Sequence, residues 1–255
     1  MSKQFLQALY EAYHCRKTTK ETVETVRYDL DNIMLTKAGM VVASNGHRMY
    51  RAQPRGLPWG LVSGEPASST TDYVLVLGSG GRIRKPKKGE TVEAAQDGFD
   101  ALGLHWIWRD GNYPSPANQK KVMEKKLHDP LTHARAAWFP VDPQAWRALR
   151  KATPRKKDWP EWPGNDNKPD APYVCVDVGT DGVFMSHLGH GTLFRLSQSG
   201  PVPELEHFHL NLAFIPTRLP IPTDIACVSS NGAIGLRWGK ATFVVLGIIA
   251  RTPEE

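Results

Sequence analysis

The chain repeats itself, and a duplication constrains a fold more tightly than any single motif, because one arrangement must then occur twice. QFLQALYEA, from Gln4 to Ala12, shares Gln, Ala, Leu and Ala at the same offsets with QAWRALRKA, from Gln144 to Ala152. AGMVVASNGHRMYR, from Ala38 to Arg51, is matched by DGVFMSHLGHGTLF, from Asp181 to Phe194. In both, a turn glycine (Gly39, Gly182) opens a β-type run that closes on Gly-His (Gly46-His47, Gly189-His190). A third pair is Leu102-Gly103-Leu104-His105-Trp106 with Ile234-Gly235-Leu236-Arg237-Trp238, each after a turn glycine (Gly98, Gly232). Three matches in the same order favour two diverged copies of one domain. The alternative is one large β-rich domain whose turn chemistry recurs.

The periodicity of each half gives one helix followed by strands. Phe5, Leu6, Leu9, Ala12 and Tyr13 recur at helical spacing, so residues 3–16 are expected to form an amphipathic helix. The second half opens with Asp142 as N-cap and Pro143 at the first helical position, and Trp146, Leu149 and Ala152 supply the apolar stripe. Strands are expected at Val26–Leu30, Ile33–Leu35, Met40–Ala43, Tyr73–Leu77 and Leu104–Trp108. In the second half they are expected at Tyr173–Val178, Val183–Ser186, Thr192–Leu196, His207–Leu212, Ile225–Val228, Ile234–Trp238 and Thr242–Ile248. Pro54–Thr71 and Pro154–Pro172 read as surface loops. The fold class is α+β, with helices on one face of antiparallel sheets. The domains are 1–125 and 134–255, joined by a linker at about 114–133.

A chain of 255 residues with 40% hydrophobic content can bury two such cores. The net charge of +6 suits a polyanionic partner, although many proteins that never meet one carry a similar excess. Three cysteines, an odd number without CxxC spacing, argue against a disulfide framework and fit a reducing cytosol. No signal peptide is apparent, and the longest apolar run, Phe243 to Ala250, is too short to span a bilayer. A cytoplasmic protein without membrane contact is expected.

The cations cluster. Arg147 and Lys151 lie one turn apart on the helix face away from Trp146 and Leu149; Arg150 sits nearer the edge of the apolar stripe, and Arg155, Lys156 and Lys157 extend the patch. The first copy offers Lys3, Arg16, Lys17 and Lys20. Further runs are Arg82, Arg84, Lys85, Lys87 and Lys88, then Lys120, Lys121, Lys125 and Lys126. No base-reading motif accompanies them, so any nucleic-acid contact would be to phosphate and indifferent to sequence. The plainer reading is of ordinary solvated faces.

Competing chemistry is thin. His187-x-x-His190 and His207-x-His209 suggest a metal, and HxH places two imidazoles on one face of a strand, but neither pair has a carboxylate or cysteine partner at convincing spacing. Gly78-Ser79-Gly80-Gly81 lacks the spacing of a phosphate loop and reads as a flexible turn. No nucleophile–base motif is present. Catalytic residues, metal and cofactor are therefore all expected to be absent.

Val41-Val42-Ala43-Ser44-Asn45-Gly46-His47-Arg48-Met49 resembles the Ala-Thr-Asp-Gly-His-Arg-Leu stretch of the bacterial β-type DNA sliding clamps. Asp110-Gly111-Asn112-Tyr113-Pro114 is similar to the Gly-x-Tyr/Phe-Pro that closes the same domain in that family. Lys120-Lys121-Val122-Met123 is similar to the basic pair and Val-Leu/Ile-Pro that follow there, with Glu124 in place of the proline. Thr242-Phe243-Val244-Val245-Leu246-Gly247-Ile248 resembles the family's terminal strand, with glycine replacing a proline. The resemblance covers the family's middle and last domains, and no segment matches the first. It implies a non-enzymatic processivity factor that encircles duplex DNA. Since the family's rings contain six such domains, it also implies a homotrimer. Implied partners are double-stranded DNA, a replicative DNA polymerase and a clamp loader, with a nucleoid-associated location. By motif, the family's peptide-docking groove carries over to Gly46, His47, Arg48, Met49, Val122, Met123, Val244, Leu246 and Ile248. Two other readings stay open: a clamp-like adaptor or inhibitor that never closes a ring, and a nucleic-acid enzyme using His187 and His190.

Overall fold

A computed structural model describes residues 3–16, 33–35, 39–55, 73–84, 100–108, 137–160, 171–200, 205–228 and 232–247. The expected strand at Val26–Leu30 and the linker at 114–133 lie outside these residues. The chain divides into two compact units. One comprises Met1–Met123 with Lys240–Thr242, the other Glu124–Gly239 with Phe243–Glu255.

The first unit contains helix α1 (Lys3–Cys15) and strands β1 (Ile33–Leu35), β2 (Val41–Ser44), β3 (Arg48–Ala52), β4 (Tyr73–Arg84) and β5 (Asp100–Trp108). Within it the strand order is β5-β4-β1-β2-β3, and each of these pairings is antiparallel. Helix α1 lies against β1 to β4. It is buried more completely than a single apolar stripe requires: Phe5, Leu6, Ala8, Leu9, Tyr10, Glu11, Ala12 and Cys15 are all buried. Burying Glu11 removes its carboxylate from water, a cost offset only by hydrogen bonds. Tyr50 on β3 donates one to Oε2 at 2.8 Å, and Gln7 donates another to Oε1. The same burial pushes the Tyr50 hydroxyl well above its ordinary value, with the Glu11 charge adding to it.

Residues 78–81, expected as a turn, instead continue β4. Leu77 pairs with Leu104 and Arg82 with Leu102, so the extra residues form a register irregularity inside the ladder. Glycines suit such a bulge because it leaves residues unpaired in conformations that side chains resist.

The second unit contains β6 (Phe139–Pro140), helix α2 (Pro143–Lys151), β7 (Tyr173–Gly179), β8 (Gly182–His187), β9 (Leu193–Ser197), β10 (Leu205–Asn211), β11 (Asp224–Val228), β12 (Ala233–Trp238) and, from Phe243 on, β13 (Ala241–Leu246). One sheet runs β10-β7-β8-β9, and the other strands are ordered β13-β12-β11-β6. Short 3₁₀ turns occur at Lys156–Asp158, inside the segment expected to be loop, and at Leu212–Phe214. The two-residue strand β6 carried no periodic signal; it exists because Phe139 and Pro140 pair with Ile225 and Asp224.

Candidate nucleic-acid interface

Helix α2 is set by the residue that caps its start. Asp142 Oδ1 accepts from the backbone N–H groups of Gln144 (2.7 Å) and Ala145 (3.3 Å), satisfying donors that the first turn leaves orphaned. The Asp142 N–H donates to Leu196 O at 2.8 Å, tying the helix start to β9, and that of Val141 donates to Thr223 O at 2.9 Å. Trp146 and Leu149 are buried beneath the helix, each contributing roughly 1.5–3 kcal/mol by removal from water. That anchoring turns Arg147 and Lys151 outward, and both are exposed, as are Arg155, Lys156 and Lys157 beyond the helix end.

Arg150 is placed differently from the other cations. Its guanidinium donates to Leu212 O (3.2 Å) and Ile215 O (2.9 Å), and burial lowers its pKa. It clamps the turn after β10 and is partly buried, whereas Arg147 is exposed. A cavity of about 250 Å³ lies beside it, lined among others by Trp146, Arg147, Ile215, Leu219 and Trp238.

Among the described residues, the cations expected in the first half give less. Arg16 is half-buried, its guanidinium carbon 4.4 Å from the centroid of the Tyr13 ring. Lys3 begins α1, and Arg82 and Arg84 end β4. Lys17, Lys20, Lys85, Lys120 and Lys121 lie outside the described residues.

The Ser44–Met49 segment forms a tight hairpin turn between β2 and β3. Asn45 Oδ1 accepts from the N–H groups of His47 and Arg48, both at 3.0 Å, and Ser44 Oγ donates to Arg48 O at 2.7 Å. Gly46 sits at φ 95°, a left-handed conformation that favours glycine. The turn exposes His47 but buries Arg48 and Met49. Arg48 donates through Nε to Cys15 O (2.9 Å) and through a terminal nitrogen to Arg16 O (3.2 Å), closing carbonyls that the end of α1 leaves open. Its guanidinium is thus a helix cap. In the corresponding segment of the second half, Gly182 (φ 152°) opens β8 and Gly189 (φ 78°) follows it.

Of the remaining residues that the resemblance picks for peptide docking, Val244 is buried in β13, which also contains Leu246. Val122, Met123 and Ile248 lie outside the described residues. Gly247, standing where the resemblance expects proline, has a structural cause. A Cβ there would meet Gly232 O at 2.1 Å and Phe208 Cδ2 at 2.6 Å, and its N–H donates to Gly232 O at 2.5 Å. Proline has neither the space nor the proton.

The histidines part company. His187 faces α2, its Nε2 3.0 Å from Leu149 O, and burial lowers its pKa. His207 and His209 occupy one face of β10, and the register sets His209 directly opposite Cys175 of β7. Potential ligand atoms of Cys175, His207 and His209 lie within 4.8 Å of one another. This third member was invisible to spacing, because Cys175 is distant in sequence and reaches the pair only through strand pairing. Cys15 and Cys227, by contrast, are buried thiols; burial raises the pKa of both, that of Cys227 to about 12.

No protein-family model matches the chain, and no curated protein does. Solved structures do. The DNA polymerase sliding clamp of Caulobacter crescentus superposes with a TM-score of 0.53 at 11% identity, covering 97% of this chain and 64% of the clamp. The DNA polymerase III subunit beta of Pseudomonas aeruginosa gives 0.51 at 14% identity, with 97% and 65% covered. The Helicobacter pylori beta clamp bound to a DNA ligase peptide gives 0.51 at 11%, with 96% and 63% covered. The fold is a sliding-clamp fold. The chain spans just under two thirds of the length of these clamps. Within this clamp fold, Arg147, Lys151, Arg155, Lys156 and Lys157 form a run of exposed cations in or just after α2. Among the described residues no helix is long and apolar enough to cross a membrane.

Proposed function

We propose that this chain is a non-enzymatic sliding-clamp subunit that encircles duplex DNA and tethers a polymerase by topology. The observation that carries the reading is the clamp fold, matched over nearly all of the chain at 96–97% coverage. The two units are diverged copies of one domain, a view supported by the two helix-plus-hairpin segments and their positive-φ glycines. Three chains supply the six domains of a closed ring. Arg147, Lys151 and Arg155 meet phosphate, giving weak, salt-sensitive contacts without base specificity. A polymerase or loader docks by a short hydrophobic peptide, as the Helicobacter pylori clamp binds a ligase peptide.

Retention on DNA tests the topology. Closed circles should hold the protein at salt concentrations where linear duplexes of equal length release it; equal retention on both removes sliding from the account. Sedimentation supplies the stoichiometry. A protein that stays strictly monomeric at high micromolar concentration is an adaptor with a clamp fold, not a ring.

A further inference from the structure

The four-stranded sheet has two unlike faces. Toward α2 it presents buried Val174, Val176, Val183, Met185 and His187. The other face of β7 and β10 carries Cys175, Asp177, His207 and His209. Two imidazoles and a thiol on adjacent antiparallel strands form a borderline-soft donor set, the type that selects zinc over magnesium or calcium. We propose that Cys175, His207 and His209 bind a zinc-class divalent cation, with a water completing the tetrahedron, as a staple between β7 and β10.

The geometry fits. Tetrahedral zinc with nitrogen and thiolate ligands places its donor atoms about 3.3–3.6 Å apart. The present spread, within 4.8 Å, closes by side-chain rotation of roughly 1 Å. A partner for the first histidine is already in place: His207 Nδ1 lies 2.5 Å from Asp177 Oδ1. A carboxylate holding one ring nitrogen fixes the tautomer and orients the other, Nε2, toward a metal. His207 and Asp177 are about half exposed, at 51% and 49%, so the cation has an entry route. The register irregularity between Leu205 and Phe208 adjoins the site, so the staple would hold the ladder where hydrogen bonding is interrupted. Binding releases the thiol proton, leaving a thiolate as the charged ligand.

The test uses untagged full-length protein stripped with a chelator, titrated with zinc against a chromophoric competitor, and separately with cobalt(II). Expected are one equivalent of zinc per chain and a thiolate-to-cobalt charge-transfer band. Cys175→Ser should abolish the band, and His207→Ala should weaken zinc binding at least tenfold. Asp177→Asn should weaken it about 10–100-fold, the usual cost of losing an orienting carboxylate. His190→Ala, at an exposed histidine outside the cluster, should bind as the parent does. His207 is exposed enough that its removal leaves folding intact, which a thermal melt confirms. No stoichiometric zinc, or parental affinity in both Cys175→Ser and His207→Ala, overturns the proposal.

Discussion

Arg147 and Arg150 stand three residues apart on one helix in unlike surroundings, one exposed and one bonded to two carbonyls, and under the proposed function a pair of Arg→Met substitutions separates their work. Methionine keeps much of the stem and removes the charge and the donors. At position 150 two charge-assisted hydrogen bonds disappear, those to Leu212 O and Ile215 O. Each contributes about 1.5–3 kcal/mol net. Part is regained because a partly desolvated guanidinium no longer has to be held inside, so the expected loss is about 2 kcal/mol. For a chain of this size that lowers Tm by roughly 4–8 °C. At position 147, an exposed site, the change in stability should stay within about 0.5 kcal/mol. Binding to duplex DNA, followed by anisotropy across a salt series, should show the reverse. Removing one phosphate contact reduces the log–log slope by about 0.9, and the Arg147→Met protein should show that reduction for each subunit in contact. Arg150→Met should leave the slope alone. A slope change equal at both positions, or a melting loss at 147 matching that at 150, refutes this division of labour.

Other expectations follow from single contacts. Asp142→Ala removes the acceptor of two backbone donors and should cost about 1 kcal/mol in urea denaturation, with Asp142→Asn recovering most of it. Tyr50→Phe withdraws a donor from buried Glu11 and should destabilise by about 1–3 kcal/mol, whereas a surface tyrosine tolerates the change. Gly247→Pro combines a clash with the loss of an N–H donor, so circular dichroism and melting should show at least about 3 kcal/mol of destabilisation; a folded, parental-Tm variant contradicts the packing at Gly232. His187 has a pKa lowered by burial below the ordinary imidazole value of about 6.5, so the unfolded chain takes up its proton first as pH falls. Its neutral form serves the fold fully above that value, and stability declines as pH drops below it; denaturation midpoints should fall between about pH 7.5 and pH 5, less steeply in His187→Gln.

Where local chemistry decides, the sequence was readable. Asp142-Pro143 names a helix start without reference to anything distant, and the matched glycines mark turns whose backbone angles few other residues adopt. Where pairing decides, it was not. Cys175 joins His209 only because β7 and β10 lie in that register, and Gly78–Gly81 extends a strand only because β5 is there to receive it. Arg150 differed from Arg147 for a similar reason. Helical spacing placed it at the edge of the apolar stripe, but its direction was set by two carbonyls more than sixty residues further on.

The proposed duplication makes one such long-range relation intelligible from both ends. Aligning the copies sets Glu11 against Lys151 and Tyr50 against Leu193. In the first copy the acid is buried and the phenol supplies its hydrogen bond. In the second the helix position carries an exposed cation, and the strand position a leucine that is 56% exposed. Neither change is tolerable alone in the first copy: leucine cannot donate to a buried carboxylate, and a lysine buried beside the Tyr50 hydroxyl would lose its hydration without gaining a counter-charge. The two differences therefore belong to one change, from a helix sunk into its sheet to a helix that keeps a charged face in solvent. Under the proposed function, Arg147 and Lys151 on that solvent-facing helix are the described helical cations expected to meet phosphate.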